Sequence, residues 1–227
     1  MISGGTQLVG LIGMPVDGSL SPRMQNAAFA ALGLDWAYVP LPVERERLED
    51  AVRGLPALGF AGANVTAPYK LEVARICGAH EPSVNTLVVK DGDIHARSTD
   101  AAILEGKRAE RPVVIGAGGA AAAFTAALAG ARRFLRRSDW PPDVSGADLV
   151  VNATSERDDV LVELGTAQTL IDLPYPETAT ATAARAAGAE VITGLEVLVA
   201  QGAASFELWT GLAAPLPAMR AALGLAS

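Results

Sequence analysis

Two serines stand where the chain is predicted to enter its first helix. The segment Ser19-Leu20-Ser21-Pro22 follows a strand candidate at Gln7–Gly13, and Pro22 is typical of the first turn of a helix. Two hydroxyls beside a helix N-terminus, where the helix dipole favours negative charge, suit the binding of a carboxylate. Plain capping of the helix by Ser21 explains the same residues.

A lysine occupies an unusual place in the next polar segment. Asn64-Val65-Thr66 ends a predicted strand, Pro68 opens a short helix, and Lys70 falls in the first turn of that helix. The helix dipole disfavours a cation at this position. Lys70 is therefore either a surface residue whose charge reaches water or an acid–base group placed for proton transfer.

A glycine-rich turn follows the strand predicted at Pro112–Ile115. Gly116, Gly118 and Ala121 match the pattern G-x-G-x-x-A between that strand and an alanine-rich helix predicted to end near Ala129. In this context the first glycine permits a tight turn, the second lets the backbone approach a pyrophosphate, and the helix N-terminus stabilises its charge. The alternative is a small-residue helix that packs closely on a sheet, and the placement favours a dinucleotide.

Basic residues stand where the adenosine ribose of a dinucleotide is expected. About 20 residues after the first glycine, an NAD-binding protein has an acidic residue, which binds the ribose hydroxyls. Here Arg136-Arg137-Ser138 occupies that point. Guanidinium groups and a hydroxyl suit a 2′-phosphate, so the sequence favours NADP over NAD. Since Arg132 and Arg133 lie nearby, a solvated basic strand end is the alternative.

The elements that hold these residues alternate between strands and helices, which predicts an α/β fold with parallel sheets. In the N-terminal half, strands are predicted at Gln7–Gly13, Trp36–Leu41 and Ala61–Thr66, helices from Ser21 through Leu32 and over Glu44–Leu58, and a hairpin that joins Val84–Lys90 to Ile94–Arg97 at Asp91-Gly92. A second unit begins near Arg111, with strands at Pro112–Ile115, Arg132–Arg136, Asp148–Val151, Thr169–Leu173 and Glu190–Ile192 and helices over Gly194–Trp209 and Pro215–Leu223.

The amino-acid composition excludes several classes of protein. A net charge of −7 without basic clusters argues against nucleic-acid and anionic-membrane partners. Cys77 is the single cysteine, so no intrachain disulfide forms, and His80 and His95 have no metal-ligand spacing with it. The N-terminal segment has no basic region typical of a signal peptide, and no run is apolar and long enough to span a bilayer. We therefore expect a cytoplasmic protein without a metal.

The order and spacing of eight short blocks resemble the shikimate dehydrogenase family from residue 7 to the C-terminus. The blocks are Ser19–Pro22 with Asn26, Asn64–Lys70, Val84–Thr86, Thr99-Asp100, Gly116–Ala120, Asn152–Thr154, Asp172–Tyr175, and Gly194 through Gln201 to Trp209. The resemblance implies an N-terminal α/β substrate domain, residues 1–100 with 202–227, plus a Rossmann-type dinucleotide-binding domain, residues 101–201. It also implies NADPH-dependent reduction of 3-dehydroshikimate to shikimate by a monomer or homodimer.

Residue roles follow from the same resemblance. Lys70 would donate and accept the proton, paired with Asp100, and Ser19 and Ser21 would hold the substrate carboxylate. The ring hydroxyls would be bound by Thr66, Asn85, Asp100, Gln201 and the neighbouring Lys70, with Tyr175 beside them. NADP would be bound by Gly116, Ala117, Gly118, Gly119 and Ala120 at the pyrophosphate, by Arg136, Arg137 and Ser138 at the 2′-phosphate, and by Thr154, Leu173 and Gly194 at the nicotinamide end.

The chain departs from the family pattern at several points. Gln25 stands where a histidine is usual, and Ser98 replaces an asparagine. The connections 70–85, 100–116 and 138–152 are shortened, and the last leaves almost no room for the usual helix; either this is a trimmed member of the family or flexible segments are absent from the sequence. Two alternatives stay open: a related dehydrogenase that acts on quinate or an aminoshikimate, and an inactive dinucleotide-binding regulatory protein.

Overall fold

The structure, a computed structural model, describes residues 2–226 and contains two compact units. The first unit runs to Thr99 and resumes at Val199, and the second comprises Asp100–Leu198. Asp100 therefore belongs to the second unit and Gln201 to the first. Which unit binds substrate and which binds cofactor stays a prediction at this point.

The first unit is a five-stranded mixed sheet with helices. Its N-terminal elements are β1 (Gln7–Gly13), α1 (Ser21–Ala31), β2 (Trp36–Pro42), α2 (Leu48–Gly54), β3 (Phe60–Val65), α3 (Lys70–Ile76), β4 (Thr86–Lys90) and β5 (Asp93–Arg97). The strand order is β2-β1-β3-β4-β5, parallel among β1, β2 and β3 and antiparallel between β3 and β4 and between β4 and β5. The predicted helix over Glu44–Leu58 is shorter, since a 3₁₀ turn at Arg45–Arg47 precedes α2.

The hairpin between β4 and β5 confirms the turn predicted at Asp91-Gly92. Both residues have positive φ, 54° and 84°, as a two-residue type I′ turn requires. The antiparallel return brings the start of β4 and the end of β5 to the same edge of the sheet, where β3 ends. This edge therefore collects residues from three strands.

The second unit is a parallel five-stranded sheet. Its elements are β6 (Pro112–Ile115), α4 (Gly119–Ala127), β7 (Arg132–Phe134), β8 (Leu149–Asn152), β9 (Thr169–Asp172), α5 (Ala179–Ala186), β10 (Glu190–Ile192) and α6 (Gly194–Thr210), of which the residues from Val199 belong to the first unit. α7 (Leu216–Ala222) completes the first unit and packs on α1. The strand order of the second sheet is β10-β9-β8-β6-β7.

Both faces of the second sheet are covered, as its uniformly apolar strands require. Val113 and Val150 face a cluster that includes Ala181 and Ala184 of α5. Val114 and Val151, one residue further along each strand, face Phe124 of α4. The described segment 135–148 contains no helix, which confirms the prediction for that shortened connection; Val144 and Ala147 from it cover the α5 side of the sheet instead.

Candidate active site

One edge of the first sheet gathers most of the residues predicted to bind substrate. Thr66 directly follows β3, Asn85 directly precedes β4, and Thr99 follows β5 by two positions. Because β4 and β5 are antiparallel, these three points meet at the edge where β3 ends. The loop from β1 to α1, with Ser19 and Ser21, leaves the sheet at the same edge, since β1 and β3 are parallel.

Ser21 does not cap α1 as predicted. Leu20 precedes the helix and Ser21 is its first residue, with no side-chain cap hydrogen bond among the described atoms. Instead the backbone N–H of Ser21 donates to Oγ of Ser19 at 3.3 Å. The prediction of capping by Ser21 is therefore wrong, because the helix starts one residue earlier than Pro22 suggested, and the binding of a carboxylate by the two serines stays a prediction.

Lys70 is the first residue of α3, in agreement with its predicted place in the first helical turn. Its backbone is fixed from both sides: Tyr69, 3% exposed, donates from Oη to the carbonyl of Val43 at 2.8 Å, and the carbonyl of Lys70 accepts from the N–H of Val84 at 3.1 Å. The first-turn carboxylate, Glu72, pairs with Arg45. The predicted pairing of Lys70 with Asp100 stays a prediction.

A direct hydrogen bond joins two of the predicted substrate residues. Asn85, 1% exposed, donates from Nδ2 to Oε1 of Gln201 on α6 at 3.2 Å. One residue further along α6, Gly202 accepts from Nε2 of Gln25 at 2.8 Å. The glutamine that departs from the family pattern is thus fully buried and joins α1 to α6.

The residues predicted to bind the cofactor follow the carboxyl ends of all five strands of the second sheet. They are Gly116 after β6, Arg136 after β7, Thr154 after β8, Leu173 after β9 and Gly194 after β10. The strand order reverses direction between β6 and β8, and ligands of open α/β sheets bind at such a switch point, outside the carboxyl ends.

The glycine-rich turn has the geometry that a pyrophosphate needs. Gly116 has φ +140°, and a Cβ added there would lie 2.7 Å from the carbonyl oxygen of Ala153, so a side chain does not fit. A Cβ at Gly118 would meet no described atom within 4 Å, which leaves the backbone open on that side. Gly118 also precedes α4, whose first turn has no acidic residue. These residues fit the diphosphate of a dinucleotide.

One arginine of β7 contacts this turn, and another in the loop after β7 binds the loop that follows β8. Arg133 donates from Nε to the carbonyl of Gly116 at 2.9 Å. Arg136 donates from Nη1 to Oε2 of Glu156 at 3.0 Å, and its guanidinium carbon lies 5.6 Å from the centroid of the Trp140 ring. Arg137 is exposed, and Oγ of Ser138 donates to Asp139. Because β6 lies between β7 and β8, the Arg136–Glu156 pair joins loops on either side of the glycine-rich turn.

Behind the turn, the buried Asn152 and Asp172 and the half-buried Thr154 form a chain of hydrogen bonds. Nδ2 of Asn152 donates to Asp172 at 2.7 Å, and Oγ1 of Thr154 donates to Oδ1 of Asn152 at 2.8 Å. Burial raises the pKa of Asp172, while hydrogen bonds from Asn152 and Thr178 oppose the rise. The position of Thr154, a predicted cofactor residue, is thus set by Asn152 and Asp172.

Two further predicted residues lie after β9. Leu173 and Tyr175 belong to the second unit, and the carbonyl of Tyr175 accepts from Arg157. A Cβ on Gly194 would lie 2.3 Å from the carbonyl oxygen of Leu173, so only glycine permits this approach of α6 to the end of β9. The predicted role of Tyr175 beside the substrate ring stays a prediction.

Within residues 2–226, no group of three or more histidine, cysteine, aspartate or glutamate side chains could hold a metal ion. Over the same residues, no helix combines the length and apolar character needed to cross a membrane. The sequence had predicted neither a metal site nor a membrane segment.

Comparisons with known proteins identify the family. Residues 11–87 match the family described as shikimate dehydrogenase substrate binding domain, and residues 194–223 match the shikimate 5′-dehydrogenase C-terminal domain. A protein of Anaeromyxobacter dehalogenans named shikimate dehydrogenase (NADP(+)) is 39% identical, over 98% of both chains. This chain belongs to the shikimate dehydrogenase family.

Solved structures of family members have the same fold. A shikimate dehydrogenase in complex with NADP⁺ superposes with a TM-score of 0.88 at 30% identity, covering 98% of this chain and 96% of the other. The shikimate dehydrogenase of Thermus thermophilus in complex with NADP(H) and shikimate gives 0.81 at 27% identity, covering 96% and 98%. The predicted α/β fold with a substrate domain and a Rossmann-type domain is confirmed.

This family member is shorter than its relative. The alignment with the Anaeromyxobacter protein extends over 274 positions, whereas this chain has 227 residues, so the relative has segments that this chain lacks. Since both chains are covered almost to their ends, the missing segments are internal. The helix-free segment 135–148 is one place where the fold accommodates such a loss.

Sequence reasoning missed several residues that contact the predicted site. A solvated basic strand end does not describe Arg133, which binds the carbonyl of Gly116, and no sequence pattern indicated Glu156, which binds Arg136. Ser205 on α6 was also missed, although its position one helical turn after Gln201 places both on the same face. The four-residue spacing between Gln201 and Ser205 is the sequence feature that could have indicated Ser205.

Proposed function

We propose that this chain catalyses the reversible, NADPH-dependent reduction of 3-dehydroshikimate to shikimate, a step of aromatic amino-acid (chorismate) biosynthesis. The observation that carries the proposal is the close relationship to a protein named shikimate dehydrogenase (NADP(+)), at 39% identity over 98% of both chains. The placement of Lys70 at the head of α3 and of Gly116 at the switch point of a parallel sheet supports it.

In this proposal the residues of the first unit bind and protonate the substrate. The hydroxyls of Ser19 and Ser21 donate hydrogen bonds to the ring carboxylate at the start of α1, and Asn85 and Gln201 bind ring hydroxyls. In the direction of reduction, the ketone oxygen at C3 becomes an alkoxide and takes a proton from Nζ of Lys70. In the reverse direction Lys70 takes the hydroxyl proton, and Asp100 orients it. Thr66 and Tyr175 complete the contacts to the ring.

The residues of the second unit hold the cofactor. Gly116–Ala120 bind the diphosphate, Arg136, Arg137 and Ser138 bind the 2′-phosphate, and Thr154, Leu173 and Gly194 border the nicotinamide. When bound, the reduced nicotinamide supplies the hydride that reaches C3. Arg136 supports NADP over NAD because its guanidinium stands after β7 and is only partly neutralised by the exposed pair with Glu156.

We further propose that the enzyme acts in the cytoplasm as a monomer or homodimer, on a small-molecule substrate and without nucleic-acid or membrane partners. The net charge of −7 without basic clusters supports the last point. The single cysteine is consistent with a reducing compartment.

The test is an assay of nicotinamide absorbance with three substrates in parallel. We expect loss of NADPH with 3-dehydroshikimate, gain of NADPH with shikimate and NADP⁺, and much slower reaction with quinate. A higher kcat/KM for quinate would make the chain a related dehydrogenase. Tight NADPH binding without turnover of any of the three would make it an inactive dinucleotide-binding protein.

A further inference from the structure

A cluster of buried amides and hydroxyls lies behind Asn85 and Gln201 in the first unit. We call it the buried polar cluster; its members are Tyr38, Asn64, Asn85, Thr86, Thr99 and Ser205, none of them more than 6% exposed. They come from β2, β3, the start of β4, the residues after β5, and α6. In such a place water does not compete, so each lost hydrogen bond leaves an unpaired polar group.

The orientation of Asn64 is fixed by its partners. The backbone carbonyl of Asn85 can only accept, so the atom of Asn64 that lies 2.9 Å from it is Nδ2. Oδ1 of Asn64 accepts from Oη of Tyr38 at 2.9 Å. Nδ2 of Asn64 also lies 3.0 Å from Oγ of Ser205. The amide of Asn64 is thus held from β2, β4 and α6.

The orientation of Asn85 follows in the same way. The backbone N–H of Thr99 can only donate, and it donates to Oδ1 of Asn85 at 2.7 Å. Nδ2 of Asn85 therefore faces Oγ1 of Thr99 at 2.9 Å and Oε1 of Gln201 at 3.2 Å. Since Oε1 of Gln201 accepts from Asn85, Nε2 is turned to the other side of the amide. The protein itself thus determines which atom of Gln201 faces Asn85.

Ser205 connects the two halves of the cluster. Its Oγ lies 2.8 Å from Oγ1 of Thr86 and 3.1 Å from Oγ1 of Thr99, accepts from Asn64, and donates to the backbone carbonyl of Gln201 at 3.0 Å. Without this oxygen, Asn64, Thr86 and Thr99 each lose a partner in a space sealed from water. Thr99 is the residue that orients Asn85.

We propose that Ser205 is a positioning residue, which holds Asn85 and, through it, Gln201 in the orientation that binds the substrate. The proposal rests on the proposed function, in which Asn85 and Gln201 bind ring hydroxyls. The simpler alternative is that Ser205 only satisfies the carbonyl four residues earlier in its own helix, as serine and threonine commonly do. Thr210 on the same helix makes the same kind of bond, to Phe206 at 2.8 Å; its hydroxyl also accepts from the backbone N–H of Leu212 at 3.1 Å, and it lies outside the cluster.

Steady-state kinetics separate the two roles. We expect Ser205→Ala to raise KM for 3-dehydroshikimate roughly tenfold, the size of one lost hydrogen bond, and to leave the Kd for NADPH unchanged. Thr210→Val is the matched control and should change neither. In an Asn85→Ala background, Ser205→Ala should no longer change KM, because Ser205 acts through Asn85. A KM unchanged in the single variant, or raised equally in both backgrounds, would overturn the proposal.

A measurement that does not depend on turnover tests the role of Ser205 separately from the proposed function. The side-chain amide protons of Asn85 should exchange slowly with solvent in wild type, and about tenfold faster in Ser205→Ala but not in Thr210→Val, as judged by NMR. If wild type turns over no substrate, the proposed function fails, and this exchange rate still decides the role of Ser205. If the amide protons of Asn85 exchange at the same rate in Ser205→Ala as in wild type, the positioning role of Ser205 is refuted. If Ser205→Ala does not fold, Thr86→Val, which removes the facing hydroxyl at constant volume, replaces it with the same expectations.

Discussion

Nδ2 of Asn152 donates to Oδ1 of Asp172 at 2.7 Å, across the carboxyl ends of the neighbouring strands β8 and β9. Asp172 is 1% exposed and also accepts hydrogen bonds from Thr178, the residue that caps α5. Burial still dominates and raises the pKa of Asp172 above its usual 3.8. A carboxyl group in this position makes stability depend on pH.

The direction in which stability changes with pH follows from the linkage between proton binding and folding. Because the folded pKa is higher than the unfolded pKa, the folded state binds the proton more tightly, and the resulting stabilisation is complete below pH 3.8. It is lost as the pH rises through the folded pKa of Asp172. The difference in unfolding free energy between wild type and Asp172→Asn should therefore decrease with rising pH and then become constant.

Urea unfolding of both proteins from acidic to neutral pH measures this difference. Taking the difference removes the effect of other carboxyl groups, such as Asp148, whose pKa is lowered by backbone hydrogen bonds from Glu110 and Arg111. The hydrogen bond lost in Asp172→Asn adds an offset that does not vary with pH. A difference that is constant over the whole range would contradict the raised pKa.

Two glycines of the nucleotide turn should respond in opposite ways to alanine. Gly116→Ala forces a side chain into φ +140° and against the carbonyl of Ala153, so we expect a loss of about 1–3 kcal/mol or more in unfolding free energy. Gly118→Ala meets no described atom within 4 Å and should leave stability near wild type. Its methyl group should instead weaken NADPH binding, since it occupies the space predicted for the diphosphate. Equal stability losses in the two variants would contradict this division.

Cofactor preference should depend on Arg136 and Arg137. Replacing both with alanine should weaken NADPH binding about 10- to 150-fold, the value of one charge-assisted hydrogen bond, and hardly affect NADH. Arg132→Ala is the control, because that side chain pairs with Asp143 and Ser145. Arg133 is unsuitable as a second control, since it binds the carbonyl of Gly116. Fluorescence titration with both cofactors measures the effect, and equal losses for NADH and NADPH would count against it.

Replacing Glu156 with glutamine should strengthen the binding of NADPH to Arg136. The Arg136 guanidinium lowers the pKa of Glu156, so at neutral pH a full carboxylate competes with the 2′-phosphate for Arg136. The side-chain amide of glutamine keeps the shape of the Glu156 carboxylate and removes its negative charge. We expect tighter NADPH binding and unchanged NADH binding, and no effect in the Arg136→Ala background.

The sequence was most informative where a strand ends in polar residues. Thr66 after β3 and Gly116 after β6 could be placed because the carboxyl ends of parallel strands meet at one edge whatever the details of packing. The start of α1 was misplaced by one residue because Pro22 fits either of the first two helical positions equally well.

The contacts that the sequence did not reveal join residues far apart in the chain. Ser205 lies 141 residues from Asn64, and Arg136 lies 20 residues from Glu156. Ser205 stands among Ala203, Ala204 and Phe206 in an apolar helix, so its pattern predicts only a buried helical face. Which buried hydroxyl meets which amide depends on how α6 packs on β3 and β4, and periodicity does not determine that.

The serines before and at the start of α1 should bind the substrate carboxylate. Ser19→Ala with Ser21→Ala should raise KM for 3-dehydroshikimate by about 10- to 150-fold, because hydrogen bonds to a charged group are lost. The KM of the substrate methyl ester should change little. Ser21 makes no capping bond, and the one bond lost at the start of α1 is the 3.3 Å bond from the N–H of Ser21 to Oγ of Ser19, so the melting temperature should fall by at most a few degrees. A lower melting temperature with an unchanged KM would return the serines to a capping role.

Lys70 should be the residue on which turnover depends most. Lys70→Ala removes the proton donor for the alkoxide at C3, and we expect kcat to fall by roughly 10²–10⁴-fold while the Kd for NADPH stays near wild type. Lys90→Ala, an exposed lysine at the end of β4, is the matched control and should retain full kcat. Asp100→Asn should also lower kcat if Asp100 orients Lys70, whereas a change in KM alone would limit Asp100 to substrate binding. Stopped-flow measurement of single turnovers at saturating NADPH separates the proton-coupled chemical step from product release. If Lys70→Ala retained most of that single-turnover rate, the proton would have to come from another group, and Lys70 would be a substrate-binding residue at the head of α3.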